Sequence, residues 1–259
     1  MVDPERLFTH ELEVFRTETQ AGTQFLYAFF AINAVLGENR KALNAANKTP
    51  LFWKTNIGAL KTAFFIVLGR IFDQKSKHNV DSLLRIAQDN IGIFSKATLA
   101  ERKRRITANS NAWLDDYLKQ VYEPTQDDFR RLRKYVNRYR KIYEENYRDI
   151  RHGLYAHKGV SEDTAVKGLF KKTNIRELEK IFTFLNALRE SLWELLNNGE
   201  KPVLRPMRYS MRSIIKNRQP VWKIQTVQER IVGETQDFFQ ALTFSVQEGS
   251  SAGTKRRRG

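Results

Sequence analysis

Cysteine is absent from the 259-residue chain, which excludes disulfides, thiolate zinc sites, iron–sulfur clusters and a cysteine nucleophile. Proline is sparse: all six fall outside the long periodic segments, and Pro4, Pro50 and Pro124 stand where helices are expected to begin. Histidine is limited to His10, His78, His152 and His157. Only two of these are close together, five residues apart, and no matching carboxylate spacing accompanies them, so no metal site and no cofactor is expected. The chain has no P-loop, no dinucleotide glycine fingerprint, no HExxH and no nucleophile elbow. Acids occupy the N-terminus, where a secretory leader would be basic. The apolar runs at 25–36 and 63–68 are too short or too interrupted for a bilayer span of about 20 residues. A cytoplasmic protein without a membrane partner is expected.

What is abundant is positive charge. The formal excess is +16, of which the terminal Lys255-Arg256-Arg257-Arg258 carries only four, so the body of the protein is itself basic. Such an excess favours a polyanionic partner, because each neutralised phosphate releases condensed counterions. Nucleic acid is the leading expectation, although an acidic membrane or protein surface would answer the same charge. Hydrophobic residues make up 41% and aromatics 12% of the chain, enough for a sizeable folded core.

The periodicity predicts an all-α protein. A first helix follows the Asp3 cap and runs towards Gly37, and a second spans about 50–73. Shorter helices are expected between about 76 and 122. After Pro124, Phe129, Leu132, Val136, Tyr139, Tyr143, Ile150 and Leu154 recur at helical spacing, so one long helix is expected up to an interruption at Gly153. The last bundle helix covers about 174–198. Four long helices thus form residues 1–199. Residues 200–248 form a basic appendage with three prolines and a final helix from about Thr226 to Phe244, and 249–259 is a basic tail expected to be disordered.

Chemistry concentrates where the most basic long helix ends, in Arg151-His152-Gly153-Leu154-Tyr155-Ala156-His157. On a continuous helix Arg151 and His157 would stand about 120° apart, but a break at Gly153 lets guanidinium and imidazole converge on one phosphate. A neutral imidazole can take the proton of an RNA 2′-hydroxyl while arginine stabilises the charge growing on the phosphate. No metal is needed, and the product end is a 2′,3′-cyclic phosphate. Against this stands coincidence, since arginines are so numerous that one lies close upstream of some histidine by chance.

The setting narrows the reading. The segment resembles the R-x(4–6)-H motif of the HEPN superfamily, and Leu68-Gly69-Arg70-Ile71-Phe72-Asp73 with Asn79-Val80-Asp81-Ser82-Leu83-Leu84 resembles its AbiU-type, abortive-infection-associated branch. The resemblance covers most of residues 1–198. It implies a HEPN-like helical bundle with shorter inserted helices and a C-terminal helical extension. It also implies a homodimer whose paired copies form a composite RNA-cleaving cleft, used as a toxin or antiviral effector and held by an antitoxin or other regulatory protein. Arg151 and His157 carry over as the catalytic pair. His152 occupies the motif's polar position, with an equally plain alternative as a surface histidine beside Arg148.

Arg148, Tyr155, Lys158, Arg140 and Lys141 are candidate RNA contacts, although Tyr155 also fits simple packing. Arg70 and Asp73 are expected to form an i, i+3 ion pair supporting the site. Basic runs at 101–105 and 130–141 are candidate guides for RNA or simply solvated faces, and the tyrosines 135, 139, 143 and 147 suit the buried side. The alternative to catalysis is a HEPN module that binds RNA or protein without cleaving.

Overall fold

A computed structural model of the chain describes residues 3–106, 113–151, 174–206, 211–216 and 226–255. Among the described residues every regular element is a helix, so the protein is all-α. Asp3 accepts the Glu5 amide at 3.0 Å, satisfying one of the donors a helix start leaves open, and α1 runs Pro4–Glu38. Asn39 accepts the amides of Lys41 and Ala42 at 3.0 and 3.1 Å and opens α2, Arg40–Ala46. Periodicity does not reveal this helix because it spans barely two turns. The next helix, α3, covers Pro50–Phe72. As a whole it is long and apolar enough to cross a membrane by length and composition, which the run 63–68 taken alone is not; core helices meet the same measure.

The stretch of shorter helices holds α4 (Val80–Asp89), a 3-10 turn (Ile91–Phe94), α5 (Lys96–Ile106) and α6 (Leu114–Gln120). A capping box of Thr125 and Asp128 starts α7, Gln126–Asn146. That helix ends at Tyr147, well before Gly153, and Arg148–Arg151 form a separate turn, α8. The expected long helix is therefore broken earlier, at a buried tyrosine that bonds to the following helix. That helix, α9 (Ile175–Asn198), is capped by Asn174 and closed by Gly199 at φ +60°. A Cβ at Gly199 would lie 2.5 Å from Cγ1 of Val121, so both backbone conformation and space require glycine here. Two further helices are α10 (Met211–Lys216) and α11 (Val227–Lys255). Thr226 and Glu229 exchange amide bonds at 2.8 and 3.3 Å to begin α11. It continues past Phe244 and Gly249, where composition predicts a disordered tail. Once nucleated, a helix adds residues at small cost, so glycine and serine weaken its end without forbidding it.

The chain forms two compact units, one of residues 1–19 and 66–208, the other of 20–65 and 209–259. In the first, Leu178, Ile181, Phe182, Leu185, Leu188 and Leu192 of α9 and Phe129, Leu132, Val136 and Tyr143 of α7 are buried. Each such side chain removed from water contributes roughly 1.5–3 kcal/mol. Phe94 joins the start of α1 to α7, its ring 5.1 Å from that of Phe8 and 5.6 Å from that of Phe129, and α4 packs against α7. In the second unit α11 packs against α2 and α10. Ile32, Ala42 and Phe239 form its buried cluster, with Trp53 5.0 Å from Phe239.

Candidate functional site

Arg151 is the last residue of α8. His152, Tyr155, His157 and Lys158, and the turn expected at Gly153, lie outside the described residues. What the structure does define is the pair of helix ends on either side of them. Tyr147, fully buried at the end of α7, donates its hydroxyl to the Glu177 carboxylate at 3.0 Å and accepts the Asn174 amide at 3.3 Å. Asn146 donates to the same Glu177 oxygen at 3.2 Å. Burial, reinforced by the charge of Glu177, pushes the Tyr147 phenol well above its ordinary value, so it remains a donor at neutral pH. The end of α7 and the start of α9 are thereby joined.

The remaining candidates are distributed differently from a single RNA-facing row. Arg148 is exposed, and Lys141 is exposed with Nζ 3.7 Å from Glu145. Arg140 is 7% exposed and donates to Asn137 at 3.1 Å and to Asp81, so its guanidinium joins α7 to α4 instead of standing in solvent. Arg70 donates to Glu18 at 3.1 Å, replacing the expected pairing with Asp73. The Asp73 carboxylate, one residue past α3, accepts the Lys75 amide at 3.1 Å, where it closes a turn. The tyrosines also divide. Tyr135 is exposed, Tyr139 stacks on Phe184 with centroids 4.1 Å apart, and Tyr143 and Tyr147 are buried. Steps of four residues drift about 40° around a helix, which carries the series from solvent into the core.

The basic run of α7 is likewise partly neutralised. Arg130 meets Asp127 at 2.6 Å and Arg131 meets Asp128 at 2.5 Å. Arg133, Lys134 and Arg138 have no carboxylate partner among the described residues. They are the cations that a polyanion would find unclaimed on this helix.

One grouping that spacing along the chain cannot show joins α1 to the loop after α3. His10, Glu11 and His78 place three metal-capable atoms within 4.8 Å of one another. Nδ1 of His78 lies 3.0 Å from both oxygens of the buried Glu11 carboxylate. A histidine held this way keeps its second ring nitrogen for another partner. Glu11 and His78 are 67 residues apart in sequence, and only the packed fold brings them together.

No curated protein and no solved structure matches the chain. A family model described as AbiU2, a HEPN family, matches residues 8–213. That span takes in the core of the first unit, the joined ends of α7 and α9, and the Arg151–His157 segment between them. The match covers most of the 259 residues, and the chain belongs to the AbiU2 family of the HEPN group.

Proposed function

We propose that this chain is a metal-independent endoribonuclease of the toxin or antiviral-effector kind, with Arg151 and His157 as its catalytic pair. The observation that carries this reading is the AbiU2 family match across residues 8–213, which includes an R-x(5)-H sequence at the end of the α7–α8 arm. His157 takes the proton from an RNA 2′-hydroxyl. The 2′-oxygen attacks the adjacent phosphorus, Arg151 stabilises the negative charge gathering on the phosphoryl oxygens, and the P–O5′ bond breaks as the 5′-oxygen takes a proton from water. The products are a 2′,3′-cyclic phosphate and a 5′-hydroxyl. His152 belongs to the same site as its polar member, and Arg148, Tyr155 and Lys158 surround it as RNA contacts.

The same reading includes a homodimer that completes the cleft, a cytoplasmic setting and restraint by an antitoxin or other regulatory protein. Its support is the family resemblance together with a chain of +16 formal charge suited to RNA.

The test is incubation of full-length wild-type and His157→Ala protein with single-stranded and structured RNA in EDTA, followed by end-group analysis. Cyclic-phosphate ends produced by the wild type alone are expected. RNA binding by both proteins with cleavage by neither would overturn catalysis in favour of a binding module.

A further inference from the structure

A cavity of about 370 Å³ opens between α4 and α7 in the first unit. The described residues that line it are all polar or charged. Arg133, Asn137 and Arg140 line it from α7, at i, i+4 and i+7 on one helical face, while Asp81, Ser82 and Arg85 line it from the first turns of α4. Among the described residues that line it none is aromatic or aliphatic, so a ring or a hydrocarbon finds little to pack on. A compact anion finds three guanidinium groups.

The charges are only partly answered within the protein. Arg140 is held by Asp81 and Asn137, whereas Arg85 and Arg133 have no carboxylate partner among the described residues. The Nε groups of Arg133 and Arg140 are buried and without an acceptor. Buried donors lacking partners are rare enough to need an explanation, and planar guanidinium groups suit phosphate oxygens in particular. The start of α4 adds its positive dipole end to the same space, and Asn79, which lines the cavity, has already engaged the Ser82 amide.

We propose that this cavity is a phosphate subsite that seats a backbone phosphodiester of single-stranded RNA. The identity of its ligand rests on the RNA reading above, but not on cleavage. Arg140 lies about two turns before the end of α7 at Asn146, and the short helix Arg148–Arg151 follows that end directly. A strand held here engages the same helix that ends just before Arg148–Arg151. The absence of a stacking surface in the cavity favours a linear backbone over a free nucleotide, since it recognises charge and not a base.

The experiment uses the full chain and a fluorescein-labelled 2′-O-methyl oligoribonucleotide, which cannot undergo 2′-hydroxyl attack, so that binding is read whether or not the protein cleaves. The double substitution Arg85→Ala/Arg133→Ala is compared with Arg40→Ala/Lys41→Ala, which removes the same charge from exposed positions of α2. The cavity variant is expected to weaken binding about tenfold and to lower the salt-dependence slope by about one, with little change in the control. Arg85→Lys/Arg133→Lys, which keeps the charge, is expected to retain most of the affinity, and unchanged circular dichroism shows that each protein is folded. Equal losses in the cavity and control variants would overturn the proposal in favour of diffuse charge. A cavity variant that loses binding of AMP or inorganic phosphate while keeping full RNA affinity would assign the cavity to a free phosphate compound and overturn the RNA assignment.

Discussion

Tyr147 and Glu177, 30 residues apart in sequence, share a 3.0 Å hydrogen bond that joins the end of α7 to the first turn of α9. The tyrosine is fully buried, and its hydroxyl also accepts the Asn174 amide. Tyr147→Phe keeps the ring and removes only these bonds. It leaves a half-buried carboxylate and a cap-residue amide short of a partner, at a cost of about 2 kcal/mol. A fall of about 4–8 °C in melting temperature is expected. If the joined helix ends also position the motif, RNA cleavage by Tyr147→Phe below its melting range falls as well, measured on the same substrate as the wild type.

Asp128 predicts the acid limb of stability. Its carboxylate is buried and accepts the Thr125 amide at 2.8 Å, the Tyr122 hydroxyl at 2.7 Å and Arg131 at 2.5 Å. Burial alone would raise its pKa. The bonds from Thr125 and Tyr122 and the charge of Arg131 outweigh burial and hold it below the ordinary 3.8. A depressed folded-state pKa means stability that is fully present above the unfolded value and lost as pH falls through the folded one. The wild type is therefore expected to lose stability progressively below pH 3.8 through this group. Asp128→Asn is expected to be about 1–3 kcal/mol less stable at neutral pH and to show a shallower decline in acid. Urea midpoints measured across that pH range check both.

The helices were largely legible because apolar spacing and local caps act over a few residues. Asp3, Asn174 and the Thr226 start sit where the pattern places them, and the α9 stripe from Leu178 to Leu192 is buried as its spacing predicts. What was not legible depends on partners distant in sequence. The early end of α7 coincides with a bond between Tyr147 and Glu177, and the fate of Arg140 follows from Asp81 59 positions away. Arg70 could be placed at the end of α3, but its choice of Glu18 over Asp73 required the packing of α1 on α3. Runs of arginine look alike in a sequence whether their charges face solvent or satisfy carbonyl groups, because exposure is a property of the fold.

Arg102 makes that last point measurable. It lies in the basic run 101–105, yet its side chain is only 11% exposed. Its guanidinium donates to the Ile93 carbonyl at 2.9 Å and the Leu196 carbonyl at 2.7 Å, and it pairs with Glu5 at 3.0 Å. The Leu196 carbonyl belongs to the last turn of α9, where a helix leaves acceptors open and favours a cation. Arg102→Met preserves much of the aliphatic volume but removes every one of these bonds, leaving two carbonyls and a carboxylate unanswered. A loss of about 2–3 kcal/mol is expected, seen as a fall of about 5–10 °C in melting temperature. Arg104→Met, two residues along and exposed, is expected to stay within about 0.5 kcal/mol of the wild type. Thermal denaturation of the two variants side by side decides between a structural arginine inside a basic run and a run of interchangeable surface charges, which would give equal and small shifts.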